Sequence, residues 1–107
     1  MAYAVYTTEG FDEELEKLES KDQERARKIF LQLKDNPYVG DQIRYRFFRE
    51  KRIGEKRIYY LVYDDLQAVL VVAVGGKKAQ QETIDRIVSS FGAYRTYLEK
   101  KLKENSS

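Results

Sequence analysis

The sequence predicts an α+β domain. In it an N-terminal strand and a helical hairpin pack on a small, mainly antiparallel twisted sheet, followed by a C-terminal helix. Three observations point there. Apolar residues fall at helical spacing between Phe11 and Leu33. The period changes to two after Pro37, and the helical period returns from Ala79. A chain of 107 residues suits one domain, taken as 1–107.

Each element has its own signal. Tyr3 to Tyr6 is aromatic and β-branched and reads as a strand, and Thr7 to Gly10 as a turn. Phe11, Leu15 and Leu18 share one helix face, with acids between them that suit the positive end of a helix dipole. Ser20-Lys21-Asp22-Gln23 fits a capping box and predicts the start of a second helix. Ala26, Ile29, Phe30 and Leu33 form the apolar face of that helix, and Asn36-Pro37 ends it. Ile43, Tyr45 and Phe47 then alternate with Arg44, Arg46 and Phe48, the pattern of one half-buried strand. Gly54 marks a turn. From Lys56 to Tyr63, Arg57, Tyr59, Leu61 and Tyr63 share one strand face, and Ile58, Tyr60 and Val62 the other. Asp64-Asp65 reads as a second hairpin turn. The continuous apolar run Ala68 to Val74 predicts a strand buried on both faces, ended by Gly75-Gly76. Ile84, Ile87, Val88, Phe91, Tyr94, Leu98 and Leu102 place a helix over about 79–103, with a break allowed at Gly92 and a frayed tail over 104–107.

Composition narrows the chemistry. The chain has no cysteine and no histidine, which removes thiol catalysis, disulfides, zinc sites of the usual kinds and every histidine-based triad. No metal and no small-molecule cofactor is expected. Any catalysis falls to Lys, Arg, Tyr or carboxylates. No apolar run is long enough to span a bilayer, and the first residues read as a strand and not as a signal peptide, so a cytoplasmic location away from membranes is expected. Net charge is only +2, but it is unevenly spread. Acids crowd Glu9 to Glu24, whereas Arg44, Arg46, Arg49, Lys51, Arg52, Lys56 and Arg57 form a dense basic block.

The run Gly54 to Tyr63, followed by Ala68 to Gly75, resembles the RelE/ParE toxin superfamily. A glycine, an arginine opening an aromatic-aliphatic strand, a short acidic turn and an apolar strand leading to a basic loop occur in that order. The early aromatic strand, helical hairpin and Asn-Pro stop are similar to the family too, so the resemblance covers about Tyr3 to Ile87. It implies a RelE-like fold and a toxin-antitoxin module. RelE-type members are ribosome-dependent messenger-RNA endoribonucleases; ParE-type members act on DNA gyrase. The resemblance therefore implies an antitoxin partner (RelB-like) and, for a RelE-type activity, the ribosome and messenger RNA.

The resemblance also assigns residues. Arg57 matches the arginine that contacts the scissile phosphate. Arg49, Lys51 and Arg52 stand where basic residues of the preceding strand take part in proton transfer. Lys77 or Lys78 matches the basic residue after the last strand, and Thr83 falls where the ribonucleases carry a tyrosine. Arg44, Arg46 and Lys56 are expected to hold RNA, and Phe91, Tyr94, Leu98 and Leu102 to face a partner. Blander readings stand beside these. The basic block also fits a solvated strand face, and Arg57 a salt bridge to Glu55 or Asp64. Tyr45, Tyr59, Tyr60 and Tyr63 fit sheet packing as well as base stacking. Three functions remain open at this point: a messenger-RNA interferase, a non-enzymatic ParE-like or degenerate member that binds gyrase or an antitoxin, and an RNA-binding module.

Overall fold

The computed structural model describes residues 2–105. Strand β1 is Ala4–Thr7, helix α1 Glu9–Glu16 and helix α2 Ser20–Asp35. Strands β2 (Asp41–Ile43), β3 (Tyr45–Ile53), β4 (Lys56–Tyr63) and β5 (Ala68–Gly76) follow, then helices α3 (Gln80–Ser89) and α4 (Phe91–Asn105). The strands form one five-stranded sheet in the order β1-β5-β4-β3-β2. β2 to β5 pair antiparallel; β1 pairs parallel with β5, Val5 opposite Val69. The α+β class, the mainly antiparallel sheet and the hairpin on one face are as the sequence predicts.

Two apolar layers hold the sheet. Phe11 of α1 and Ala26, Ile29 and Leu33 of α2 pack with Ile58, Tyr60, Val62, Val69 and Val71. On the other face Ile84 and Ile87 of α3 and Leu98 of α4 pack with Phe48, Tyr59, Leu61, Leu70 and Val72. β4 thus divides its side chains as alternation requires. β5 has no exposed residue over Ala68–Val74, in keeping with its central place between β1 and β4.

The structure corrects several details. The predicted single strand around Arg44 is two strands: Arg44 has a positive φ of 56° and the register between β2 and β3 shifts beside Ile43. The capping box does not form. Glu19 occupies the cap of α2 without a side-chain bond, and Gln23 instead donates to the Leu18 carbonyl at 2.9 Å, closing the end of α1. Gly75-Gly76 does not end β5, which runs through both. The C-terminal helix is two helices separated at Ser90 and not at Gly92, and α4 runs to Asn105; residues 106 and 107 of the expected frayed tail lie outside the described residues.

The partner-facing stripe is corrected at one position, Leu98, its other three members being half-buried. Leu98 is fully buried against the chain's own sheet, and Phe91, Tyr94 and Leu102 pack on the same cluster. What stays exposed nearby is Tyr45 (44%) and Phe47 (37%), stacked on each other with Phe91 edge-on at 5.1 Å from Phe47.

The segment between α2 and β2 is pinned from both sides. The Gly40 N–H donates to the buried Tyr60 hydroxyl at 3.0 Å, and the Gly40 carbonyl accepts from Arg49 Nη2 at 2.8 Å and Nε at 3.0 Å. A Cβ on Gly40 would stand 2.4 Å from the Glu50 carbonyl oxygen and 2.6 Å from the Tyr60 hydroxyl. Gly40→Ala is therefore expected to cost about 1–3 kcal/mol of stability by overpacking, read as a lower urea midpoint. A midpoint equal to wild type would show that the loop yields without cost.

Candidate nucleic-acid interface

The β3–β4 hairpin, the end of β5 and the start of α3 meet at one edge of the sheet. Gly54 closes the hairpin with a φ of 62°, a conformation that favours glycine. Pairing places Arg52 opposite Arg57, and Lys56 opposite Gly76. A single 3₁₀ turn, Lys77–Ala79, then carries the chain into α3. Together these elements enclose a cleft of about 640 Å³, lined by Arg52, Glu55, Lys56, Arg57, Gly76, Lys77, Lys78 and Ala79.

An irregularity in β5 gives the cleft its room. The register of β4 on β5 shifts between Tyr59 and Tyr60, since Tyr60 pairs with Val71 and Tyr59 with Ala73. The extra residue reverses which side chains of β5 face which layer: Val72 and Ala73 both lie in the α3/α4 layer, and Val74 in the other. Gly75 consequently stands opposite Arg57, where an unbroken register would place Val74. β5 offers no side chain beside either Arg57 or Lys56.

Arg57 lies at the inner side of this cleft with its side chain 18% exposed, and it is not free. Its Nε is 3.4 Å from Glu50 Oε1, and Glu50 is itself only 14% exposed. Arg57 Nη1 donates to Gln80 Oε1 at 3.0 Å, and Gln80 Nε2 donates back to Glu50 Oε2 at 3.3 Å. The ion-pair partner is thus neither Glu55 nor Asp64. The Nε–H of Arg57 is close to Glu50 without the alignment of a hydrogen bond, and the buried Tyr59 hydroxyl beside the pair also has no hydrogen-bond partner among the described residues. Burial raises the Tyr59 phenol, and the Glu50 charge adds to the effect, while Arg57 opposes it. α3 starts after Ala79 with no side-chain cap, and its first N–H, of Gln80, donates to the Lys77 carbonyl at the same edge.

The basic block is split by strand alternation. Arg52, Lys56, Arg57, Lys77 and Lys78 share the cleft. Arg49 and Lys51 are one residue out of phase with Arg52 and lie on the α2 side of the sheet, so the expected convergence of Arg49 and Lys51 with Arg57 is not met. Arg49 is spent on structure, donating to the carbonyls of Tyr38, Gly40 and Arg46. Arg44 pairs with Asp85 at 2.9 Å. Arg46 lies over the Tyr38 ring, 4.1 Å from its centroid, and 3.6 Å from Asp64. Thr83 is buried on the inner face of α3 and presents no hydroxyl to the cleft. Sequence reasoning missed Glu50 and Gln80. Glu50 carried a usable signal, being the lone acid among the residues of β3; Gln80 carried none. Among the described residues no acidic cluster suitable for a metal ion occurs, and no helix is long and apolar enough to cross a membrane.

A cleft of this kind suits a phosphodiester. Arginine binds phosphate oxygens in pairs and lysine as a point charge, and their surroundings here hold a single lining carboxylate, Glu55. Chemistry at phosphorus also needs proton carriers, for which lysines are the available groups.

No protein-family model matches the chain, and no curated protein matches it in sequence. Solved structures do match in fold. An arginine-to-alanine double mutant of the Escherichia coli toxin RelE, in the free state, superposes with a TM-score of 0.68 at 23% identity, over 81% of this chain and 99% of that one. The Mycobacterium tuberculosis toxin-antitoxin complex RelBE2 gives 0.63 at 23% identity, over 72% and 93%. The archaeal RelE–RelB complex from Pyrococcus horikoshii gives 0.61 at 17% identity, over 71% and 96%. The fold of this chain is the RelE fold.

Two expectations follow from the geometry. Arg49→Ala should destabilise the fold by about 1.5–3 kcal/mol, the range for hydrogen bonds to a charged group. Denaturant melts of the variant check this, and a midpoint equal to wild type would show that its carbonyl contacts do not hold the loop. The second concerns alkaline pH. Burial, followed by the 2.6 Å hydrogen bond to Asp64, pushes the Tyr38 phenol up to about 12 from 10.0. The unfolded chain ionises this phenol first, so its contribution to stability is lost as pH rises from 10.0 toward about 12. Denaturant melts at stepped pH should show a shallower loss for Tyr38→Phe than for wild type; parallel curves would exclude this coupling.

Proposed function

We propose that this chain is a toxin of the RelE kind, acting in the cytoplasm as a ribosome-dependent messenger-RNA endoribonuclease and inhibiting translation. The observation that carries the reading is the cation-lined cleft with Arg57 at its inner side, set on the fold of RelE toxins. Several matched structures are complexes of a RelE with a RelB antitoxin, and we extend this to a RelB-like antitoxin for this chain.

Cleavage of RNA without histidine or metal follows a definite division of labour. A base takes the proton of the 2′-hydroxyl, whose oxygen attacks the adjacent phosphorus. An acid protonates the departing 5′-oxygen, and cations hold the extra charge that builds on the phosphate. Arg57 is the group for the phosphate; Arg52, Lys77 and Lys78 surround the same space and supply further charge and protons. Glu50 and Gln80 fix the Arg57 side chain before substrate arrives, which limits the reorganisation needed in the transition state.

A second reading rests on specific observations. Thr83 stands buried where the ribonucleases are expected to carry a tyrosine, and Arg57 is neutralised by Glu50. A non-enzymatic member that acts by binding a protein such as gyrase or an antitoxin is the form of that reading.

Cleavage of messenger RNA on programmed ribosomes separates the two. Removing Arg57 from a half-buried ion pair also strands the Glu50 charge, which can itself destabilise the fold. Arg57→Ala is therefore assayed alone and together with Glu50→Gln. In either background the cleavage rate should fall roughly a hundredfold to a thousandfold. Equal rates for wild type and the double variant would remove Arg57 from the mechanism, and no cleavage by folded wild type would select the binding protein.

A further inference from the structure

On the α2 side of the hairpin a second groove, of about 410 Å³, lies between α2 and β3. Arg25, Lys28, Lys51 and Arg52 line it, and it contains no carboxylate. Arg25 is held by Asp22 at 3.0 Å, whereas Lys28, Lys51 and Arg52 have no ion-pair partner among the described residues. Arg52 is exposed and lines both this groove and the cleft, so the two are continuous around the hairpin.

We propose that this groove is a second RNA-backbone site, which holds the strand leaving the cleft by its phosphates through Lys28, Lys51 and Arg52. The proposal rests on the reading of the cleft as an RNA site. The chemistry of the groove favours a nucleic acid over an acidic helical peptide. Its apolar lining is Ile29 and Ile53, both already buried in the core, which leaves a peptide no apolar anchor. Unpaired cations along an open groove are what a phosphodiester chain needs. Alternation on β3 also accounts for Lys51: the residue that puts Arg52 toward the cleft necessarily puts its neighbour toward α2.

The test uses the full chain, with a fluorescent tetranucleotide and a fluorescent dodecanucleotide of RNA titrated over a range of salt. Wild type should bind the longer strand more tightly. The double variant Lys28→Ala, Lys51→Ala should lose much of that advantage, keep its affinity for the tetranucleotide, and show a salt slope for the longer strand smaller by about 1.4, two phosphate contacts for a single strand. Unchanged circular dichroism melts confirm the fold. Equal slopes for variant and wild type overturn the proposal. So does a variant that loses affinity for poly-L-glutamate but not for RNA, which would make the groove a protein site. The cleft reading is judged separately, by cleavage on programmed ribosomes: lost cleavage with a groove-dependent salt slope retained leaves this site standing, and no binding of the dodecanucleotide by wild type that still cleaves overturns this site alone.

Discussion

The burial of β4 and β5 on both faces is the constraint from which the rest of this structure follows. From Ile58 to Val62, and from Ala68 to Val74, every residue is buried. Such strands satisfy their backbone groups only through neighbours on each side, and β5 finds them in parallel β1 and antiparallel β4. Both faces then need apolar cover, which the α1/α2 pair and the α3/α4 pair supply. Leu98 is consequently part of the fold, and the rest of the stripe along α4 packs half-buried on the same layer.

With the middle of the sheet closed to charge, ionic side chains are displaced to strand ends. Arg57 sits one residue beyond the buried stretch of β4, the first place where a guanidinium can reach solvent while its stem stays in the sheet. Three local features turn that position into a cleft: the irregularity in β5, the glycine it brings opposite Arg57, and the turn that sends Lys77 and Lys78 over the same edge. Desolvating a guanidinium is costly unless it is paired, and Glu50 with Gln80 offsets that cost. A phosphate entering the cleft must compete with Glu50 for Arg57 or bind the guanidinium edge that Glu50 leaves open. The unaligned Nε–H and the unpartnered Tyr59 hydroxyl mark where polar groups stand ready beside that pair.

Most of the fold was legible in the sequence because it depends on period. The two faces of β4 follow from alternation, the helix stop at Asn36 from the Asn-Pro pair, and the doubly buried β5 from an unbroken apolar run. What was not legible depends on single backbone torsions or on pairing. Arg44 adopts a positive φ that no residue pattern announces, and it divides one apparent strand into two. Ser20 has the chemistry of a cap, yet Glu19 takes the position because Gln23 is used across the interhelical turn. The site was half legible for the same reason. Arg52, Lys56, Arg57, Lys77 and Lys78 were found as a basic set, but treating the block as one surface ignored alternation, which sends Arg49 and Lys51 to the opposite face. The irregularity that places Gly75 beside Arg57 is a property of two strands together and is invisible in either one.

Net charge is a poor guide to the electrostatics of such a surface. At +2 the chain is nearly neutral, and many of its arginines are spent in pairs: Arg25 with Asp22, Arg27 with Glu24, Arg44 with Asp85, Arg46 with Asp64, Arg95 with Asp65 and Glu99. Each pair cancels its own field within a few ångströms. Among the described residues, Lys28, Lys51, Arg52, Lys56, Lys77 and Lys78 around the end of the hairpin have no ion-pair partner. Their potential adds because nearby acids are few and because the sheet beneath them has low polarity. A polyanion therefore meets a positive belt around one end of a nearly neutral protein. The belt runs from the start of α3, over Arg52, to α2, so positive potential is concentrated at the end of the β3–β4 hairpin.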